Sequence, residues 1–509
     1  MNRIYQKECE SSCEYALPDY MGDVKKILSV SASAIPSGKF VSDGAIEFSG
    51  IVSYDILYSD AEGKLTKITT SSDYDISQNL DMERYTDSFA DCRVVSSSIR
   101  LGGPRKMTVR STLVCNLKIS ETDEISCDGN AFSEGSALET AARSIKLETM
   151  LFGLSPEREY AEEAEKLASV SPDDIEIIGT SGAVRVTESI PTENGVTVRG
   201  ELIITSIIRT EEQPPFAIKK TVPFDETINI EGLTGDMQVM ADGYFTSVTS
   251  GVAEEADGSV VTVNAICEFV CTVAANSDVS VTTDAYLRDR DTEGEYEDYA
   301  YSEFIAMANR DESFSADVLR SDIGCESIRE ILVLSGDVRS VDKKIADGKL
   351  VICGDVAISG VACEINEDDF PSYVPVKFTL PFQFNVNVGC QIPENASVEC
   401  KISCVDVESM LDAEKLGVKC VLKIGYRISN PSSVRRLKAC NTIGDTEYSN
   451  SISCITVYYP EENETLFEIA KKFHTTSAKI AGDNNLSEPA VMTPDAPGSL
   501  AGVKKLIIR

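Results

Sequence analysis

Only one histidine, His474, occurs in the 509 residues. A Ser-His-Asp or Cys-His-Asn arrangement would have to centre on it. It directly follows Phe473 at the end of an amphipathic stretch, the place of a surface or capping residue. Sixteen cysteines could offer metal or redox chemistry, but there is no Cys-x-x-Cys pair. The closest spacings, Cys9/Cys13, Cys267/Cys271 and Cys400/Cys404, each enclose three residues. A zinc site would therefore need cysteines gathered from separate strands. Several cysteines sit in apolar runs such as Ile266-Cys267-Glu268-Phe269-Val270-Cys271, so buried reduced thiols acting as small hydrophobes are expected. Glycoside hydrolysis needs two facing carboxylates. The adjacent pairs Asp368/Asp369 and Glu254/Glu255 read as solvated turns, and no stretch singles out a catalytic pair. Gly102-Gly103-Pro104-Arg105-Lys106 is too short for a phosphate loop and precedes a strand rather than a helix; it reads as a hairpin turn. No catalytic residue, metal ligand or cofactor is predicted, and the chain is not expected to be an enzyme.

A second set of polar groups lies near the C-terminus: Asn463, Glu464, Thr465, Asn484 and Asn485. Amide side chains satisfy sugar hydroxyls as donor and acceptor at once. The same residue types cap helices, and both roles stay open. Tyr458, Tyr459, Phe467 and Phe473 nearby read as the core of a small module rather than a sugar platform.

Charge narrows the partners. The net charge is −36, which opposes a nucleic-acid backbone or an anionic membrane surface. From Ile452 onward six Lys/Arg face seven Asp/Glu, so almost all the negative charge belongs to the rest of the chain. The first residues lack an apolar signal region and no run has the length of a membrane helix. A cytoplasmic protein is expected.

The elements that carry these residues are mostly strands. Asp43-Gly44, Asn194-Gly195 and Asp347-Gly348 each mark a tight turn. Each is followed by a period-2 run: Ile46, Phe48, Val52, Tyr54 and Ile56; then Val196, Val198, Leu202 and Ile204; then Leu350, Ile352, Val356 and Ile358. Such alternation marks a half-buried strand. One glycine interrupts each apolar face, Gly50, Gly200 or Gly354, which suggests a bulge or a close backbone approach. The glycines should superpose on inner strand faces. Their spacing makes the repeat unit a whole domain.

The expected fold is mainly β: three repeated β-sandwich or barrel-like domains with short helical linkers, then a small βααβ module. The expected divisions are a lead at 1–20, β domains at 21–132, 172–288 and 325–441, a helical spacer at 133–171, a linker at 289–324, and the module at 452–509. The spacer rests on the helix formers from Glu157 to Leu167 after Ser155-Pro156. The linker rests on the acidic run from Asp289 to Asp298.

In the C-terminal segment a strand at Cys454–Tyr459 precedes a helix with Leu466, Ile469, Ala470 and Phe473 on one face. A shorter helix at Ser477–Ala481 follows, then a strand at Gly502–Ile508. This order resembles the LysM fold. Val457-Tyr458, Asn463-Glu464-Thr465-Leu466, Ile469-Ala470-Lys471-Lys472-Phe473, Asn484-Asn485-Leu486 and Gly502 through Ile508 match the family's motifs in turn. Departures are Asn463 and Glu464 for the turn glycine and aspartate, Arg509 for the final proline, and an insertion at Ala490–Leu500. The resemblance implies binding of N-acetylglucosamine polymers between the loops at the strand–helix junctions.

Before such a module, the three repeats look like SPOCS (spore-coat-associated) domains. The whole resembles the SpoIVA-interacting morphogenetic proteins of endospore formers. That resemblance implies a non-enzymatic scaffold of spore-coat assembly in the mother cell, at the forespore surface, whose partner is a coat morphogenetic ATPase or another coat protein. The alternative it implies is a cell-wall protein that binds an N-acetylglucosamine-containing glycan. The module is expected to dock protein, to be separable from the repeats, and to use loops around Thr465 and Asn485, with Leu466 holding its fold.

Overall fold

The computed structural model describes residues 2–42, 44–81, 83–122, 125–132, 137–324, 326–365, 371–447, 455–461, 464–486 and 503–509. Asp43, Asp368, Asp369, Asn463, Gly502 and the inserted loop at 490–500 lie outside them.

Each alternating stretch is the middle strand of a three-stranded meander. In the first, β2 (Val24–Ser42), β3 (Ala45–Asp60) and β4 (Leu65–Asn79) follow one another, while β1 (Asn2–Ala16), β6 (Lys106–Glu121) and β5 (Tyr85–Gly103) form a second sheet in the order β1-β6-β5. Ile46, Phe48, Val52, Tyr54 and Ile56 on one sheet pack against Met107, Val109, Leu113, Leu117 and Ile119 on the other. All are buried, and two such faces make a sandwich.

The second sandwich repeats the plan. Its sheets are β9 (Ile175–Thr192), β10 (Gly195–Thr210) and β11 (Phe216–Ile228), and then β12 (Gln238–Glu255) and β13 (Gly258–Leu287) with β7 (Leu138–Leu154) and β8 (Arg158–Ala168) along β13. The third has β15 (Ile328–Ala346), β16 (Lys349–Ile365) and β17 (Pro371–Val386), facing β14 (Arg290–Leu319), β19 (Lys415–Glu447) and β18 (Ser397–Leu411). At the turn into β16 both Asp347 and Gly348 have left-handed backbone, φ 51° and 71°, as a two-residue hairpin loop demands.

The central glycines face inward. Gly50, Gly200 and Gly354 lie opposite Tyr74, Phe224 and Phe382 across the sheet. The neighbouring strand slips register beside each of them. A Cβ on Gly200 would stand 2.0 Å from the Arg185 carbonyl oxygen, and one on Gly354 would stand 3.0 Å from the Phe382 ring.

Three expected connectors are strands instead. The lead at 1–20 contains β1, the helical spacer at 133–171 contains β7 and β8, and the linker at 289–324 contains β14. Each is the strand that closes its sandwich by pairing with the last strand of the repeat. Residues 158–168 imitate a helix because a bulge skips Ala164, which brings Tyr160, Ala164 and Leu167 inward at helical spacing. In β14 the acidic run lies on a paired strand rather than in a linker, with Glu293, Glu295 and Asp298 exposed. Glu297 and Asp298 lie directly opposite Arg436 and Arg435, where opposite charges stabilise the register.

Equivalent residues of the three sandwiches meet at one place. Leu57, Ile207 and Val361 each stand seven residues beyond the central glycine. Leu28, Ile178 and Leu332 are each skipped by the ladder of the adjoining strand. All six belong to one buried cluster. The inner sheets meet through charge. Asp91, Asp242 and Lys401 hold the same ladder position, opposite Asn116, Val270 and Gly425. The Lys401 ammonium lies 2.7 Å from both carboxylates. Lys423 adds a contact to Asp242 at 2.8 Å, and Arg427 bridges Glu399 and buried Glu148. Three sandwiches of one chain thus surround a common line as subunits surround a threefold axis.

Beyond the sandwiches the ribbons β7–β13 and β14–β19 run on and pack on each other through Ile145, Val281, Tyr299 and Val434. This arm, from Ala275 to Leu287, rises about 40 Å at roughly 3.3 Å per residue.

Candidate functional site

The small module sits at the tip of the arm. Strand β20 (Thr456–Tyr458) pairs antiparallel with β21 (Leu506–Ile508), and between them come α1 (Leu466–Lys472) and α2 (Ser477–Asp483). Leu466, Ile469, Ala470, Ile480, Ala481, Leu506 and Ile508 form its core.

Most of the polar loop residues hold this fold together. The Thr465 hydroxyl accepts from the Glu468 amide at 3.2 Å, and the Glu468 carboxylate accepts from the Thr465 amide at 2.7 Å. That reciprocal capping box satisfies two helix-end donors of α1. Asn484 stitches α2 to β21: its amide group donates to the Ile480 and Ile507 carbonyls at 2.8 and 2.7 Å, and its oxygen accepts from the Ile507 amide. Glu464 is packed inward, where it accepts from the Tyr458 hydroxyl at 2.8 Å and from Lys472. Burial opposes its charge, but Lys472, the Glu461 amide and Tyr458 outweigh it and hold the carboxyl below its ordinary range. Asn485 alone of the described set is exposed, in left-handed backbone at φ 51° just after α2.

Tyr458, Phe467 and Phe473 pack against the module core. Tyr459 does not. It is 69% exposed, and it shares the outer side of β20 with exposed Ile455 and Val457.

The module is seated on the repeats rather than free of them. Tyr286 of β13 enters its core and donates a hydrogen bond to the Thr475 carbonyl at 2.6 Å. Lys471 meets Asp284 at 2.7 Å. His474, with φ 49° after α1, places Nε2 3.4 Å from Asp291 and Nδ1 3.4 Å from the Leu287 carbonyl. The α1–α2 turn is thus covered, while Asn485 on the loop after α2 stays exposed. This seat has no signature in the sequence, because Tyr286 and Asp284 belong to a strand that reads as ordinary alternation.

The fourteen described cysteines are free, and Cys115, Cys267, Cys271, Cys363, Cys420 and Cys440 are buried. Burial pushes the Cys267 and Cys271 thiols up to about 12, which leaves them protonated and unreactive. Among the described residues no group of three or more His, Cys, Asp or Glu side chains is arranged to hold a metal ion. No described helix is long and apolar enough to cross a membrane.

The family model described as SipL, SPOCS domain, matches residues 174–252, the stretch from β9 into β12. The LysM domain model matches residues 461–493. No curated protein and no solved structure matches the chain. The chain carries a SPOCS domain and a C-terminal LysM domain, both interaction modules rather than catalytic ones.

Proposed function

We propose, for a chain that joins a SPOCS domain to a LysM domain, a structural scaffold in spore-coat assembly. All three sandwiches are SPOCS-like repeats, which would span residues 2–121, 138–287 and 290–447. The scaffold acts in the mother cell at the forespore surface and docks a coat morphogenetic ATPase or another coat protein. The observation that carries this reading is the placement of the LysM domain. It is held out on a long β arm, fixed by one turn, with the loop bearing Asn485 left accessible. Linked weak contacts on arm and body gain avidity through effective concentration. The LysM sequence is close to neutral while the body carries nearly all of the −36, so an acidic partner would meet less repulsion at the arm tip than elsewhere. Pull-down from sporulating cells with the full chain, and with a chain lacking 452–509, tests this. Recovery of a coat protein by the first and its loss from the second are expected; no coat protein with either would overturn the proposal.

The LysM match favours a second reading, a cell-wall glycan binder. Titration of the full chain with N-acetylglucosamine oligomers separates the two. Binding in the micromolar range, abolished by Asn485→Ala, would support the glycan reading.

A further inference from the structure

Because the junctions between sandwiches are built alike, a difference among them is informative. Two cations cross from the second sandwich to the third. Lys219 on β11 holds Asp406 on β18 at 2.7 Å, and Arg185 on β9 holds Asp311 on β14 at 2.8 Å. The third sandwich keeps both cations where it meets the first. Lys219 pairs with Thr205, five residues beyond Gly200, and Lys377 pairs with Ser359, five beyond Gly354. Arg185 pairs with Glu201 and Arg339 with Asp355, each one residue beyond the glycine.

One of the two acceptors differs, since Glu8, opposite Val114, stands where Asp311 stands opposite Lys423. Asp406 pairs with Val421, six residues after Lys415. In the first sandwich Thr112, six residues after Lys106, pairs with Ser96. The preceding valine, Val405 or Val95, is skipped by the ladder in both strands, which fixes the equivalence. A serine therefore stands where the neighbouring junction has a carboxylate. Among the described residues neither Arg339 nor Lys377 forms an ion pair. The junction opens instead as a cleft of about 530 Å³ between β2 and β5 of the first sandwich and β15, β16 and β17 of the third. That volume falls within the roughly 300–1,000 Å³ of small-molecule sites.

The chemistry of the walls indicates the occupant. Arg339 and Lys377 line the cleft and Asp337 is the only acidic side chain among the lining residues, which leaves a local excess of positive charge on a strongly acidic chain. Ser29, Ser97, Ser98, Ser359 and Thr379 also line the cleft. We propose that the cleft binds a small anionic ligand whose carboxylate or phosphate oxygens take the place that Asp406 holds at the neighbouring junction. A guanidinium matches such a group with two parallel donors and an ammonium adds a point charge. Serine and threonine hydroxyls donate to the remaining oxygens.

Isothermal titration of the full chain with citrate and with inorganic phosphate at low ionic strength tests the site. Sodium chloride of matched ionic strength serves as the blank. Saturable binding of at least one probe is expected. Citrate alone would identify a carboxylate ligand, phosphate alone a phosphorylated one, and either result supports the site. Lys377→Ala removes an exposed cation and should weaken binding tenfold. Ser96→Asp installs the missing carboxylate and should also compete the probe away, with a melting temperature no lower than the parent's. If Ser96→Asp does not fold, Arg339→Ala, likewise exposed, replaces it. No saturable binding of either probe, or less than threefold weakening in Lys377→Ala, would overturn the proposal.

Discussion

The hydroxyl of Tyr286, near the end of a strand in the second sandwich, donates to the backbone carbonyl of Thr475 in the LysM domain at 2.6 Å. Its ring meets Phe467 edge-on with centroids 5.1 Å apart. Tyr286→Phe should cost about 1 kcal/mol of docking, the net value of one hydrogen bond, with the ring contact kept. Tyr286→Ala should release the domain from the arm. Hydrogen exchange across 466–483 would rise in the alanine variant and change little in the phenylalanine one; equal protection in both would mean the seat does not depend on this side chain.

Leu466 is buried at the first turn of α1. Leu466→Ala should cost roughly 2–5 kcal/mol, a large share of what so small a domain holds. Loss of α1 and α2 protection with the sandwiches intact is expected, visible as a separate low-temperature transition in calorimetry. A single unshifted transition would contradict it.

The loop polar residues should separate by role. Thr465→Ala removes a capping acceptor and should destabilise the domain by about 1 kcal/mol. Asn485→Ala removes an exposed side chain, so the fold should persist while partner capture falls. Thermal melts and pull-downs on the two variants check this. Normal capture by Asn485→Ala and by its double variant with Thr465 would place the docking surface elsewhere.

The three central glycines should not be equivalent in tolerance. A Cβ on Gly200 would come within 2.0 Å of a backbone oxygen, whereas one on Gly354 meets its nearest atoms at 3.0 and 3.1 Å. Overpacking typically costs about 1–3 kcal/mol. Gly200→Ala should reach the top of that range or exceed it, and Gly354→Ala should stay near the bottom. Chemical denaturation that ranks them the other way would contradict the geometry.

Acid should loosen the centre of the ring. Burial opposes the Asp242 charge, but Lys401 and Lys423 outweigh it and hold that carboxyl well below its ordinary range. Glu399 is lowered too, where Arg427 and Lys118 outweigh its burial. A depressed folded-state pKa gives stability that is complete above the unfolded value, about 3.9 for Asp and 4.3 for Glu. It is lost as pH falls further, toward the folded value. Lys401→Met should remove part of this acid dependence. At neutral pH it should cost roughly 2–3 kcal/mol, less than for a fully buried pair because the lysine is 33% exposed. Melting temperatures from pH 7 to 3 for parent and variant measure both effects.

Much of each sandwich was legible because its hairpins are local. Ile46 to Ile56 alternate, Asp347-Gly348 turns, and partners lie a few residues away. The closing strands were not legible, for one reason in three forms. β1, β7 and β14 each pair with a strand between 90 and 157 residues later, so no nearby residue announces the partner. β8 adds a bulge at Ala164 that turns a strand's spacing into a helix's. At the LysM domain the two readings of Thr465, cap or ligand contact, differ only in where its hydroxyl points. That orientation depends on Glu468, which the sequence shows. The seat on Tyr286 depends on a contact across 189 residues, which it does not.

The charges at the centre carry a consequence for symmetry. Identical subunits around a true threefold axis must put the same residue at one position three times. Three aspartates there would repel, and so would three lysines. Asp91, Asp242 and Lys401 instead occupy that one position with two signs. Three non-identical domains of one chain can do this. The shared polypeptide therefore does more than tether the three sandwiches, because it lets their meeting point hold two carboxylates around one ammonium, which strict threefold symmetry forbids.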